Sequence, residues 1–145
     1  MIHEMTPAEQ GYVIKSWIEA LHDHHKRTPW KIYKPLVTPS LRAVLAASTV
    51  LTSVLDDGVL AGWIAFERGP RVSAIHWIHT RYSHPTTKEL MRRRGVASEL
   101  FAAAQLGDRI VYTHHTASPI DEQLALLLSK RGVAVGHVPY TEWKR

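Results

Sequence analysis

Residues 49 to 80 contain three period-two runs separated by two tight turns, a pattern that leaves the middle of this chain little choice of fold. Thr49 to Leu55 is a β-branched run that stops at Asp56-Asp57-Gly58, a sequence suited to a hairpin turn. Val59 to Glu67 returns as a second strand, Gly69-Pro70 turns the chain again, and Val72 to Thr80 supplies a third. Connections this short join antiparallel neighbours, so the segment is expected to be a three-stranded meander.

On either side the period becomes helical. Thr6-Pro7-Ala8-Glu9 has the form of a capping box with proline at the first helical position. The helix it opens places Val13, Ile14, Trp17, Ile18 and Leu21 on one face and is expected to end near His22 or Asp23. A second, shorter helix is expected from Thr38-Pro39, with Leu41, Val44 and Leu45 inward. Between them lies a polar, aromatic connection, His24 to Val37, in which Pro29 and Pro35 argue against regular structure.

After the meander, Val96, Leu100, Ala103 and Ala104 recur at helical spacing, with Gly107 as the stop. Ile110 to Thr113 reads as a short strand. Ser118-Pro119-Ile120-Asp121 starts a helix of Leu124, Leu127 and Leu128 that stops at Gly132. Val133 to Val138 forms a last strand before the aromatic tail Tyr140 to Arg145. The expected order is β-α-α-β-β-β-α-β-α-β: a mixed central sheet flanked by helices, as one α/β domain over residues 1–145.

Composition narrows the function. The 145 residues include no cysteine, which excludes disulfides, thiolate metal sites and a thiol nucleophile and fits a reducing compartment. No apolar run approaches the roughly 20 residues of a membrane span. Met1-Ile2-His3-Glu4-Met5 lacks the basic and apolar regions of a signal peptide, so a soluble, cytoplasmic protein is expected. A net charge of +5 suits an anionic partner, whether coenzyme A, nucleic acid or an acidic protein, or simply serves solubility.

The stretch Arg92-Arg93-Arg94-Gly95-Val96-Ala97 runs directly into the helical Ser98-Glu99-Leu100-Phe101. Backbone N–H groups at such a helix start lack intrahelical partners and sit at the positive end of the helix dipole, where they can hold a phosphate. Small residues at 95 and 97 let an anion approach the backbone, and the arginines attract it from a distance.

With the element order, the R-x-x-G-x-A pattern on Arg92, Gly95 and Ala97 resembles the acyl-CoA signature of the GNAT family of N-acetyltransferases, Q/R-x-x-G-x-G/A. The resemblance covers nearly the whole chain. The compact length, the Trp17 helix and Thr113-His114-His115-Thr116 look most like the small GNAT-like proteins of tailed bacteriophages, which would place the protein in the host cytoplasm.

The resemblance implies a CoA thioester, acetyl-CoA or another acyl-CoA, as cofactor and an amine as acceptor. It implies that backbone groups of Ile78 and Thr80 meet the pantetheine arm and that Arg92, Arg93, Arg94, Gly95, Val96, Ala97 and Ser98 cradle the diphosphate. The thioester is expected where the strands at 72–80 and 110–114 splay apart. Trp30 and Tyr33, in the connection that lines the acceptor site in this family, are expected to shape specificity. Two departures stand out. The segment Tyr82 to Leu90 is longer than usual and is expected to form an extra turn or lid. The tyrosine that often serves as acid falls on Leu128, so the acid is missing, supplied by Tyr112 or Tyr140, or unnecessary.

For the base, His114 ranks first and His79 second, with His115 following the same strand as His114. His76 and His79 are expected on opposite faces of one strand, since the side-chain period is two; the bland reading for each is a half-buried histidine bonded to a backbone carbonyl. Glu67 is either a base acting through water or a surface charge near a turn. His22, His24 and His25 lack further ligands at metal-binding spacing, so no metal is expected. Trp17, Trp63 and Trp77 are read as core.

Three functional classes remain on sequence alone: an acyl-CoA-dependent N-acyltransferase, a GNAT-like scaffold or virion-associated binding protein without turnover, and a DNA- or RNA-directed protein for which no binding motif is present. The aromatic tail offers a surface for homodimer formation across a two-fold axis.

Overall fold

The chain runs β1 (Ile2–Glu4), α1 (Gln10–His22), α2 (Trp30–Ala47), β2 (Thr49–Val54), β3 (Leu60–Glu67), β4 (Ser73–Thr80), α3 (Val96–Ala104), β5 (Arg109–Tyr112), β6 (Ala134–His137) and α4 (Tyr140–Trp143). The computed structural model describes residues 1–23, 25–91, 95–114, 130 and 134–144. The expected helix at 118–132 lies outside them apart from Lys130, as do Leu128 and His115.

The six strands make one mixed sheet in sequence order. β1 to β4 pair antiparallel, and β5 joins β4, and β6 joins β5, in parallel. The meander forms as its turns require: Gly58 takes φ 86°, a conformation that favours glycine, between β2 and β3.

Period-two alternation on β3 divides the interior in two. Trp63 and Ala65 face α1 and α2, where they pack with Val13, Trp17, Ile18, Leu41, Val44 and Trp77. Ile64 and Phe66 face α3, with Ile75, Leu100, Ala104 and Ile110. Trp17 anchors the first layer: its ring centroid lies 5.6 Å from that of Trp63 and 6.0 Å from that of Trp77. Gly62 sets the distance of the second. A Cβ there would fall 2.5 Å from the His79 carbonyl oxygen and 2.9 Å from Val96 Cγ1, so only glycine lets the first turn of α3 come this close to the sheet.

Several expectations change. α2 begins at Trp30, eight residues before the expected Thr38, and includes Pro35 and Pro39. Each proline removes a backbone donor and costs about 3 kcal/mol in an isolated helix interior. Burial of Tyr33, Leu41, Val44 and Leu45 against α1 and the sheet outweighs that cost. α1 starts at Gln10, after a turn in which Glu9 Oε1 accepts from Thr6 N at 2.9 Å, which is the reciprocal half of the expected capping box. α3 ends at Ala104 with Gln105, left-handed at φ 50°, as its C-cap, two residues before Gly107. Ala103 is exposed because only the Leu100 and Ala104 face meets the sheet.

Candidate active site

β4 and β5 pair only over Ser73↔Ile110, Ala74↔Val111 and Ile75↔Tyr112, and Thr113 N donates to Ile75 O at 3.1 Å as the last link. Beyond Ile75, β4 continues to Thr80 paired with β3 alone among the described residues. The two strands therefore part where the sequence places its candidate chemistry.

A bulge marks the same point. Ala65 faces Trp77 and Phe66 faces Ile75, which leaves His76 without a partner residue on β3. The extra residue breaks strict alternation and overturns the expectation that His76 and His79 lie on opposite faces. His79 meets Tyr12 of α1, and His76 meets His114, whose ring lies 5.3 Å from Trp17 of α1.

Around the bulge, four residues from three parts of the chain form a continuous hydrogen-bonded chain. Glu67 Oε2 lies 2.7 Å from His76 Nε2, His76 Nδ1 lies 2.7 Å from Thr113 Oγ1, and Thr113 Oγ1 lies 2.9 Å from His114 Nδ1. Tyr140, at the start of α4, packs its ring 5.2 Å from that of His76 and 6.0 Å from that of His114. The structure thus brings together the sequence candidates His114, Tyr140 and Glu67, and adds His76 and Thr113. Tyr112, the alternative acid, pairs its ring with that of His137 at 5.2 Å.

The environment decides the charge states. His76 is fully buried, not half-buried, and its partners are side chains, not a backbone carbonyl. Burial lowers its pKa, with Glu67 opposing. His114 is pushed down to about 4, first by burial and then by His76 and His137. It therefore holds a neutral imidazole at neutral pH and is a weaker base than a free histidine. Glu67 is no isolated surface charge. Burial raises its pKa, but hydrogen bonds from Lys144, His76 and Trp143 more than offset this and hold the carboxyl below its usual range. Lys144 in turn is raised by its bond to Glu67.

His79 forms a second, separate pairing. Its Nε2 lies 3.2 Å from the hydroxyl of Tyr12, and the guanidinium of Arg81 sits 4.4 Å above the Tyr12 ring. Burial raises the pKa of Tyr12, and Arg81 acts against that. Trp30 and Tyr33 gather around His22, with ring centroids at 5.2 Å and 5.0 Å. Tyr33 is buried in the core layer, so Trp30, half-buried, is the more accessible of the two. His22 spends a ring nitrogen on Thr28 O at 2.7 Å, and His24 lies outside the described residues.

At the other side of the parting strands, Gly95 forms the N-cap of α3 with φ 78° and no side-chain cap, and the first helical backbone bond runs from Glu99 N to Gly95 O. No atom lies within 4 Å of where a Gly95 Cβ would be, so the approach to this helix start is open among the described residues. Val96, Ala97 and Ser98 are half-buried in the first turn. Arg92, Arg93 and Arg94 lie outside the described residues. Ile78 and Thr80 stand on the free stretch of β4, paired across to Ile64 and Gly62 of β3. The segment before α3 is an ordered turn: Ser83 bridges Leu90, and His84 Nδ1 accepts from Thr86 N and Thr87 N while its Nε2 meets Asp57 at 2.7 Å.

Sequence reasoning missed His76 as a linked group, and also Thr113, Tyr12 and the C-terminal clamp on Glu67. Thr113 carried one faint signal, a hydroxyl beside the favoured His114 at the end of a strand. The bulge that turns His76 inward has no local signature.

No family model matches the sequence, and no curated protein does. Solved structures match in fold. A Pyrococcus furiosus protein assigned as an acetyl transferase superposes with a TM-score of 0.65 at 15% identity, covering 95% of each chain. A Corynebacterium glutamicum protein named as histone acetyltransferase HPA2 and related acetyltransferase gives 0.58 at 18% identity, over 88% of this chain and 82% of that one. The acetyltransferase AAC(6')-Iy, bound to the bisubstrate analogue CoA-S-monomethyl-acetylneamine, gives 0.52 at 17% identity over 88% of each chain. The six-stranded mixed sheet with its flanking helices is the GNAT fold.

Proposed function

We propose that this protein is an acyl-CoA-dependent N-acyltransferase that passes an acyl group, acetyl in the simplest case, directly to an amine. The observation that carries the reading is the parting of β4 from β5 after Ile75↔Tyr112, with a neutral histidine cluster at the opening and the uncapped start of α3 nearby. The likeness in fold to acetyltransferases, one of them bound to a CoA analogue, supports it.

The residues fit a CoA thioester. The left-handed Gly95, with open space where its Cβ would stand, suits a diphosphate against the first-turn N–H groups of Val96, Ala97 and Ser98. Arg92 to Arg94 supply charge from the adjoining sequence. Ile78 and Thr80, on the stretch of β4 that has left β5, offer backbone groups to the pantetheine arm. Bound there, acyl-CoA supplies an activated acyl carbon and a thiolate leaving group. His114 and Tyr140 are the nearest candidates for proton transfer, and His79 with Tyr12 forms a second pair on the α1 side. In this reading Trp30, half-buried beside His22, contacts the acceptor. The reading takes residues 1–145 as one acyl-CoA-binding domain working in the cytoplasm, and the short Thr113 to Thr116 segment supports kinship with the phage-encoded members.

Calorimetry with acetyl-CoA, followed by thiol release across a panel of amines, tests this. Micromolar binding with thiol release is the expected result, and absence of binding at millimolar acetyl-CoA overturns it. Gly95→Val should abolish binding without unfolding the chain.

A further inference from the structure

We infer that Thr113 is a positioning residue: it holds His114 in the tautomer protonated at Nδ1 and leaves Nε2 unprotonated to receive the proton of the acceptor amine. The inference rests on the acyltransferase reading for its catalytic half, and on hydrogen-bond geometry alone for its tautomeric half.

The proton positions follow from the donor inventory of each group. The Glu67 carboxylate, bonded by Lys144 Nζ at 2.8 Å and Trp143 Nε1 at 3.0 Å, can only accept. His76 Nε2, 2.7 Å away, must therefore donate to it. His76 is fully buried and its pKa is lowered, so it has no second proton, and Nδ1 is an acceptor. The group at 2.7 Å from that Nδ1 is the Thr113 hydroxyl, which spends its single proton there. Thr113 Oγ1 can then only accept from His114 Nδ1 at 2.9 Å. Each step leaves the next group one choice. The reverse direction would require a doubly protonated His76 in a fully buried position.

With its proton on Nδ1, His114 keeps its lone pair on Nε2; the ring also bonds the His76 backbone and lies edge-on to Trp17 and beside Tyr140. As the amine nitrogen attacks the acyl carbon, the C–N bond forms and the C–S bond breaks with its electron pair on sulfur. The nitrogen becomes acidic only as it bonds, and its proton passes to His114 Nε2. A weakly basic imidazole suffices for so acidic a proton. The new imidazolium is then stabilised along Thr113 and His76 to the Glu67 carboxylate.

The test is long-range nitrogen–proton NMR on histidine-labelled protein, with no cofactor present. Expected are the Nδ1–H tautomer for His114 and the Nε2–H tautomer for His76. Thr113→Val should release His114 to the Nε2–H tautomer that free imidazole favours, and Thr113→Ser should restore the native signature. An Nε2–H His114 in the native chain overturns the inference, and so does an unchanged His114 in a folded Thr113→Val. Should that variant not fold, the native spectrum alone decides.

In turnover with acetyl-CoA and an accepted amine, Thr113→Val should lower kcat about 10- to 100-fold, less than the full worth of a general base, with KM little changed. Thr113→Ser should recover most of the rate. A covalent acyl adduct on Thr113 by mass spectrometry would overturn the positioning role in favour of a nucleophile. If the tautomers are as expected and no amine is acylated, the acyltransferase reading fails while the tautomeric relay stands.

Discussion

His76 Nε2 and Glu67 Oε2 meet at 2.7 Å, and this contact joins the end of β3 to the bulge of β4 and, through Glu67, to α4. Glu67 accepts from three donors on two elements, so it fastens the C-terminal helix beside the opening between β4 and β5. Removing it strands a buried imidazole N–H.

Glu67→Ala should destabilise the fold by about 1–3 kcal/mol, the cost of leaving a buried donor unpaired. Urea denaturation measures the loss. Mutation of Lys144 alone, an exposed partner, should cost well under half as much. Equal losses in the two variants would show that the His76 contact contributes nothing.

Stability should fall with acid in a window set by His114. In the folded chain its pKa is about 4, whereas an unfolded histidine titrates near 6.5. Between those values the unfolded chain binds the extra proton, so stability is complete above 6.5 and declines as pH drops toward 4. The limiting slope for one proton is about 1.4 kcal/mol per pH unit. His76 adds in the same direction, and Glu67 adds a further loss below the ordinary carboxylate range. His114→Asn should flatten this part of the denaturation-against-pH curve. Parallel curves would assign the window to other groups.

Two core tryptophans should respond differently to the same replacement. Trp63 Nε1 donates to Ser16 Oγ at 2.9 Å, while Trp17 Nε1 is buried with no hydrogen-bond partner among the described residues. Phenylalanine at 63 loses ring volume and a hydrogen bond. At 17 the lost volume is partly offset by removing an unpaired donor, worth about 1–3 kcal/mol. Trp17→Phe should therefore be the milder change in melting temperature.

Glycines 62 and 95 separate packing from backbone strain. Gly62→Ala drives a methyl against the His79 carbonyl and Val96, so it should cost about 1–3 kcal/mol and shift α3 from the sheet. Gly95→Ala meets no atom and pays only for its left-handed backbone, about 1–2 kcal/mol. Of the two, only Gly62→Ala should perturb the amide NMR shifts of Ile64 and Leu100 as well as those of the α3 start.

Much of the fold was legible. The meander, the α3 stretch after the glycine turn and the core roles of Trp17, Trp63 and Trp77 all follow from spacing within a few residues. The start of α2 did not, because proline counts heavily in a local reading and the burial that outweighs it comes from α1 and the sheet. At the site, His114, Glu67 and Tyr140 were named from residue type and place. Their linkage was hidden, since it needs His76 turned by a bulge and Thr113 brought across from another strand.

The sequence by itself determined the order of the elements from α1 to β5 and which positions are apolar on each, because periodicity and turn chemistry act between near neighbours; the short helix at Tyr140–Trp143 it did not show. Tertiary structure alone decided where β4 leaves β5, that His76 and His79 both serve the α1 side, and that Glu67, His76, Thr113 and His114 form one chain. Those facts depend on contacts between residues 37 and 77 positions apart, as in His76 with Thr113 and Glu67 with Lys144, and on burial that fixes which of them carries charge.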